Sequence, residues 1–221
     1  MPSLRALPPL PPPEHLRSWP DREAMLADRD RAMGELGRTA LGGGRLAVFL
    51  VWLLVLEAGW GLIGAALRIA DDALDPFGVL VAVVPAALGV GALIPAAYFQ
   101  VAGLRRDAAA RRLFVRWAAL APVPARDARH RAPGRSLAWL LVSFALGAAG
   151  LWICLAVPYT ARPGSSSYTG VAYGVGAGLL LWVHGLAGAA KAVAHYRLAL
   201  RLVSPGPPAA RSASSERPPH A

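Results

Sequence analysis

Four apolar stretches divide this chain, at residues 46–67, 77–99, 137–157 and 171–193. Each holds the roughly twenty mainly apolar residues that a helix needs to cross a hydrocarbon core of about 30 Å. A water-soluble fold would have to bury four such helices in a core too large for 221 residues. The sequence therefore predicts an all-α protein: a four-span transmembrane helical bundle with disordered termini and one additional amphipathic helix at the cytoplasmic surface.

The chain is strongly basic. It has 23 basic residues, of which Lys191 is the only lysine, and 13 acidic ones, which gives a formal charge of +10. Such a charge can indicate nucleic-acid binding, but here the arginines flank the spans as membrane topology requires, so we expect no nucleic acid. The chain shows no complete catalytic motif, metal-ligand set or cofactor fingerprint, so we expect no cofactor and no metal. The only cysteine, Cys154, lies in the third span and can form no intramolecular disulfide.

Segments rich and poor in arginine alternate along the chain. Seven arginines precede the first span, one follows it, nine lie between the second and third spans, one follows the third, and four lie after the fourth. Cytoplasmic segments carry the excess of basic residues. We therefore expect a multi-pass protein of the cell membrane with both termini in the cytoplasm. Because no cleavable signal peptide is visible, the first span should act as an uncleaved anchor.

The segments outside the spans have distinct compositions. Residues 1–19 are proline-rich and residues 201–221 are rich in proline, serine and alanine, so both should be disordered. Residues 20–44 should form a solvated helix that starts near Ser18 and Pro20 and stops at Gly37, followed by a flexible glycine joint. The transmembrane domain then covers residues 45–200, and residues 103–136 form its largest cytoplasmic loop.

The first half of that loop has a helical pattern, with Leu113, Trp117 and Leu120 on one side. A basic amphipathic helix of this kind can lie in the membrane interface with its arginines near anionic headgroups. The alternative is a plain charged loop. The arginines expected to contact lipid headgroups or a partner protein are Arg105, Arg106, Arg112 and Arg116.

Glu57 lies near the middle of the first span, where a carboxylate facing lipid would be costly. It shares a helical face with Gly61 and Gly64, and small residues mark the side on which another helix approaches. Glu57 should therefore point into the bundle. Its role is either functional or that of a structural polar contact.

His184 lies on a polar stripe of the fourth span together with Tyr173, Lys191 and His195. Because the first and fourth spans run in opposite directions, Glu57 and His184 should reach similar depths. A hydrogen bond between them would suit proton relay, since histidine titrates near neutrality. The alternative is that His184 fills an ordinary packing position.

Glycines recur every four residues on the fourth span, at Gly170, Gly174 and Gly178. Such a ridge of small residues lets two helix backbones approach closely. The contact is either within the bundle or between two copies of the chain in a homo-oligomer.

The leading functional hypothesis is a non-enzymatic membrane protein with a structural, assembly or regulatory role, whose basic cytoplasmic face contacts anionic lipid or a partner protein. The second is a small oligomeric transporter or proton-coupled component that uses Glu57. A membrane-embedded enzyme is the third. Any functional centre within the membrane should lie between the first and fourth spans.

Overall fold

The computed structural model describes residues 7–121, 123, 126, 133–162 and 167–203, and these residues form helices and no strand. A short 3-10 helix, Glu14–Leu16, precedes five α-helices. These are α1 (Arg22–Leu41), α2 (Gly43–Asp71), α3 (Pro76–Ala118), α4 (Pro133–Thr160) and α5 (Tyr168–Val203). Helices α2 to α5 contain the four predicted spans and are long and apolar enough to cross a membrane, which confirms the all-α fold class. Of the tails predicted at residues 1–19 and 201–221, residues 1–6 and 204–221 lie outside the described residues, whereas residues 201–203 form the last turn of α5.

Helix α1 starts and stops later than predicted. Asp21 caps it, because the Asp21 carboxylate accepts a hydrogen bond of 2.7 Å from the backbone nitrogen of Ala24. The helix runs through Gly37, which costs about 1 kcal/mol relative to alanine, and buries the side chain of Leu41 in its last turn. It ends at Gly42, where a Cβ atom would collide with the carbonyl oxygen of the preceding turn.

Neighbouring spans touch in the spatial order α3, α2, α5, α4. Helices α2 and α3 cross at Gly59 and Gly89, where a Cβ on Gly89 would lie 2.8 Å from the Gly59 carbonyl oxygen. Helices α4 and α5 cross at Gly147 and Gly185, where a Cβ on Gly185 would lie 2.6 Å from the Gly147 Cα. The outer helices, α3 and α4, have no extensive mutual contact among the described residues, so the bundle is open on that side.

The outer faces of α3 and α4 are apolar and exposed. Leu80, Ile94, Phe144 and Trp152 are each more than half exposed. Large contiguous apolar surfaces are rare on soluble proteins but are what lipid chains cover in a membrane. The faces that are buried are those that meet α2 and α5.

The amphipathic segment after the second span is not a separate interfacial helix. It is the continuation of α3, which extends for about five turns beyond Phe99. Its apolar face is covered by α1, whose Met33 and Leu36 pack with Leu113 and Trp117 in one core cluster. Helix α1 is correspondingly not solvated all round. We call the end of the spans where α1 lies the basic end.

The proline-rich segment contributes to the same core. Leu7 and Trp19 pack against it, and the indole nitrogen of Trp117 donates a hydrogen bond of 3.1 Å to the carbonyl oxygen of Pro9. Residues 7–19, which the composition assigns to a disordered tail, therefore have defined contacts with α3.

Candidate functional site

Three charged side chains from three helices meet at the basic end. The Lys191 ammonium group on α5 lies 2.7 Å from one carboxylate oxygen of Asp107 on α3. The Arg45 guanidinium, at the start of α2, lies 3.2 Å from the other oxygen and also donates a hydrogen bond of 3.0 Å to the Gly103 carbonyl oxygen. The side chains of Lys191 and Asp107 are each 4% exposed, so the pair is almost completely buried. We call Arg45, Asp107 and Lys191 the ionic cluster.

The fourth helix contributes an aromatic ring to this cluster. The Lys191 ammonium group lies 4.0 Å from the ring centroid of Trp139, on α4. This is a cation–π distance, and such contacts strengthen when the cation is withdrawn from water. Trp139 is 1% exposed and packs on Phe49 of α2, with ring centroids 5.4 Å apart. All four spans are therefore joined at this level of the protein.

A cavity of about 160 Å³ adjoins the ionic cluster. Gln100 lines the cavity and donates a hydrogen bond of 3.2 Å to the Phe49 carbonyl oxygen. The cavity combines charged groups with the aromatic rings of Trp52 and Phe99, which stack with centroids 4.7 Å apart. A space of this size holds several water molecules, which need polar partners such as these.

Sequence reasoning placed Lys191 on a polar stripe but did not single out Asp107. The available signal was local: Asp107 follows Arg105 and Arg106 directly after the second span and is the one acid in an arginine-rich stretch of α3. An isolated carboxylate at a span end, facing an intramembrane lysine, is the usual way to bury a cation at that depth.

Glu57 and His184 do not meet. Phe49 packs against His184, with ring centroids 5.6 Å apart and the rings inclined by 51°. The Trp60 indole donates a hydrogen bond of 2.9 Å to the Tyr173 carbonyl oxygen. These two contacts fix the antiparallel alignment of α2 and α5, and they place Glu57 level with Gly176. That level is about 12 Å along the axis from His184. The expectation of similar depths is therefore wrong, because it assumed span ends that differ from the packed alignment.

Each of these two residues has its own surroundings. His184 donates from Nδ1 to the carbonyl oxygen of Leu180 in its own helix, at 2.8 Å. Glu57 is half-buried, and its Oε1 atom is buried without a hydrogen-bond partner among the described residues. A buried carboxylate oxygen without a partner is unusual and costly.

The polar stripe of the fourth span is split between the two ends of the protein. Tyr173 lies about 27 Å along α5 from Lys191. Its ring stacks parallel to Trp60, with centroids 6.5 Å apart, and covers Gly61 and Gly64, where any Cβ would approach the ring. Tyr173 therefore belongs to the contact between α2 and α5 and not to the ionic cluster.

The glycine ridge faces α4. A Cβ on Gly174 would lie 2.9 Å from a methyl carbon of Val157, and one on Gly178 would lie 2.8 Å from the Gly150 carbonyl oxygen. Gly170 instead adjoins Ser167 at the start of the helix. The ridge at Gly174 and Gly178 thus makes an intramolecular contact, with Gly147 and Gly150 supplying the complementary small surface on α4.

The arginines expected to contact headgroups or a partner lie on the extension of α3. Arg105, Arg112 and Arg116 are exposed, and no ion pair is formed by these three in the described chain. Arg106 is half-buried and lines the cavity beside the ionic cluster. The exposed arginines form a row on the side of α3 that α1 leaves uncovered.

Comparison with known proteins adds no relative. No protein-family model, curated protein or solved structure matches this chain. Within the described ranges, no three or more histidine, cysteine, aspartate or glutamate side chains are grouped so that they could hold a metal ion.

Proposed function

We propose that this protein is a non-enzymatic component of the cell membrane with a structural, assembly or regulatory role, acting through the basic surface of α3. That surface consists of Arg105, Arg112 and Arg116. An exposed row of arginines that form no ion pair within the described part of the chain attracts anionic lipid headgroups or an acidic partner surface.

The observation that carries this proposal is the bracing of the α3 extension by α1. Arg29 of α1 is fully buried and donates hydrogen bonds of 3.2 Å to the carbonyl oxygens of Trp117 and Ala118, the last residues of α3. Carbonyl groups at a helix C-terminus lack the usual partner four residues further on, although that of Trp117 also accepts a hydrogen bond of 3.3 Å from the backbone nitrogen of Leu120. A cation near a helix C-terminus is favourable. A braced helix presents its arginines in a fixed arrangement, which favours recognition over a loose charged tail.

The proposal includes an orientation in which the basic end faces the cytoplasm, because basic residues are retained on that side. Reporters active only outside the cytoplasm, fused after Asp72, Ser166 or Gly206, test it. We expect activity after Asp72 and Ser166 and none after Gly206. Activity at Gly206 alone would show the reverse orientation.

Photo-crosslinking tests the role itself. A photoreactive residue replaces Arg116 in cells, and as a matched control it replaces Arg68, an exposed arginine in the last turn of α2 at the opposite end. We expect a discrete adduct with one protein or with anionic phospholipid at position 116 only, reduced when Arg105 and Arg112 are changed to glutamine. Identical adducts at both positions would refute a role for the basic surface.

A second candidate function, a proton-coupled transport component, is favoured by one observation: the buried carboxylate oxygen of Glu57, which has no hydrogen-bond partner among the residues that the structure describes. Intramembrane acids of this kind serve in proton pathways. Reconstituted protein should then show a proton or solute flux that Glu57→Gln abolishes. A flux unchanged by Glu57→Gln would remove Glu57 from any such pathway.

A further inference from the structure

A second cluster of positive charge lies just beyond the ionic cluster, in a cleft between α3 and α5. The cleft measures about 460 Å³ and is open to the surface. Arg111 and Arg112 project from α3 and Arg197 from α5, while the other lining side chains are small or apolar: Ala108, Val115, Ala194 and Leu198.

Among the described residues, no negative charge balances that of this cleft. No acidic residue lines it, and none of its three arginines forms an ion pair among the described residues. The nearest carboxylate along α3, Asp107, is already shared by Lys191 and Arg45. Three guanidinium groups facing one cleft repel each other unless an anion lies between them, and their planar donor forks match phosphate oxygens.

The depth of the cleft points to the headgroup layer of the bilayer. The charged ends of α2, at Arg45 and Asp71, are about 39 Å apart along the helix, close to the 40–45 Å thickness of a bilayer that includes its headgroups. The ionic cluster therefore lies within a headgroup layer. Arg111 follows Asp107 by about one turn, so the cleft lies at the outer border of that layer.

The side chains of the three cleft arginines point towards the bilayer. Helices α3 and α5 both run away from the membrane at this end, and side chains on a helix tilt towards its N-terminus. Arg111, Arg112 and Arg197 therefore lean towards the lipid surface and not towards bulk water. Ala108 and Ala194, on facing helices, leave the space between them open.

We propose that this cleft binds the phosphate of an anionic phospholipid from the adjoining leaflet, held by Arg111, Arg112 and Arg197. The inference deepens the proposed function by naming the class of lipid and its site. The cleft shares Arg112 with the basic surface, but Arg111 and Arg197 point into the cleft between two helices, whereas Arg105 and Arg116 do not line it.

Titration with a short-chain lipid tests the site. Dioctanoyl phosphatidylglycerol is added to the full-length protein in a non-ionic detergent, and bound lipid is counted by native mass spectrometry. Each arginine near an anionic headgroup contributes roughly fivefold in affinity, so Arg111→Gln with Arg197→Gln should weaken the tightest adduct about 25-fold. The charge-matched control, Arg38→Gln with Arg68→Gln, removes two exposed arginines outside the cleft and should change the affinity less than about threefold.

A second, steric variant distinguishes loss of the lipid site from misfolding of the charge variant. Ala108→Phe fills the cleft and keeps all three arginines, so it should also remove the adduct, while the melting temperature without lipid stays near that of the wild type. Dioctanoyl phosphatidylcholine should give no comparable adduct, and millimolar inorganic phosphate should not displace phosphatidylglycerol.

Four outcomes would overturn the proposal. Equal losses in the cleft and control variants would indicate diffuse surface electrostatics. An adduct that survives Ala108→Phe would place the lipid elsewhere. Displacement by inorganic phosphate alone would indicate a site for a soluble anion, and displacement by an acidic peptide at lower concentration than the lipid would indicate a protein partner. None of these results alters the crosslinking at position 116, so the proposed function and this inference can fail separately.

Discussion

Replacing Asp107 with asparagine should destabilise the protein more than any other single change of charge at the basic end. Asparagine keeps the size of the side chain but removes its negative charge. Lys191, whose side chain is 4% exposed, and Arg45 would then face each other with no carboxylate between them. Removing one partner of a buried ion pair costs about 3–5 kcal/mol, so we expect that loss in the free energy of unfolding.

Replacing Lys191, the other partner of the ion pair, should cost less in free energy of unfolding. Lys191→Met leaves Asp107 with Arg45, whose side chain is 26% exposed and can remain hydrated. We expect a loss of about 1.5–3 kcal/mol, the usual size of a hydrogen bond to a charged group. The double variant Asp107→Asn, Lys191→Met removes both buried charges, so its cost should fall below the sum of the single costs by about 0.5–3 kcal/mol.

Reversible unfolding in mixed micelles, titrated with sodium dodecyl sulfate and followed by circular dichroism, measures these free energies. Asp72→Asn is the control, because Asp72 is an exposed acid at the opposite end of α2 and should change stability by less than about 0.5 kcal/mol. If Asp107→Asn costs no more than Asp72→Asn, or if the two substitutions in the cluster are additive, then water or headgroups screen the cluster and the reasoning from burial is refuted.

Three further predictions concern other contacts. Gly185→Ala should lower the melting temperature, because the new Cβ would lie 2.5 Å from the Gly147 nitrogen. The control Gly91→Ala should not lower it, since no atom lies within 4 Å of that Cβ. Equal melting temperatures for the two variants would contradict the close crossing of α4 and α5. Arg29→Met should detach α1 from α3, which would be measured as faster hydrogen exchange throughout α1. The control Arg31→Met, which changes a side chain that is 79% exposed, should leave the exchange rates unchanged. If α1 stays protected in Arg29→Met, apolar packing alone holds it against α3. Glu57→Leu should raise the melting temperature, because it removes a buried oxygen that has no partner among the described residues; a fall would show that Glu57 makes a stabilising polar contact.

The fold was predictable because its main determinant is local in sequence. Four runs of apolar residues specify four spans whatever their neighbours are. The path of the chain after the second span was not predictable in this way, because an amphipathic pattern around Leu113 and Trp117 is the same for a helix lying on the membrane and for a helix leaving it. The choice between them depends on Met33 and Leu36 of α1, which cover that apolar face from about 80 residues away.

The candidate site was predictable only in part for the same reason. Lys191 stands out in the sequence because it is a cation at the end of an apolar run, and Gly174 and Gly178 stand out by their spacing. The partners of these residues, Asp107 and Gly150, follow from how the helices are paired in space, and periodicity along a single helix carries no information on that pairing.

The pairing of the helices also decides where the two halves of the protein are joined. Helices α2 and α3 form one close pair and α4 and α5 the other, and the α2–α5 contact is the seam between them. The seam is held at one end by the Lys191–Asp107 ion pair, which links α5 to α3. It is held at the other end by the hydrogen bond from the Trp60 indole to the Tyr173 carbonyl oxygen and by one from the Thr169 hydroxyl to the Asp71 carboxylate.

Glu57 lies on α2 between these two sets of contacts, and its buried oxygen has no partner in the described part of the chain. A movement of the α2–α3 pair against the α4–α5 pair must break the polar contacts at one end of the seam. The contacts at the two ends differ in strength. The ion pair is buried, whereas the Trp60 and Thr169 hydrogen bonds lie near the surface, where the higher effective dielectric weakens polar contacts. The seam should therefore open first at the Tyr173 end, which would hydrate Glu57 from that side while the basic end stays closed.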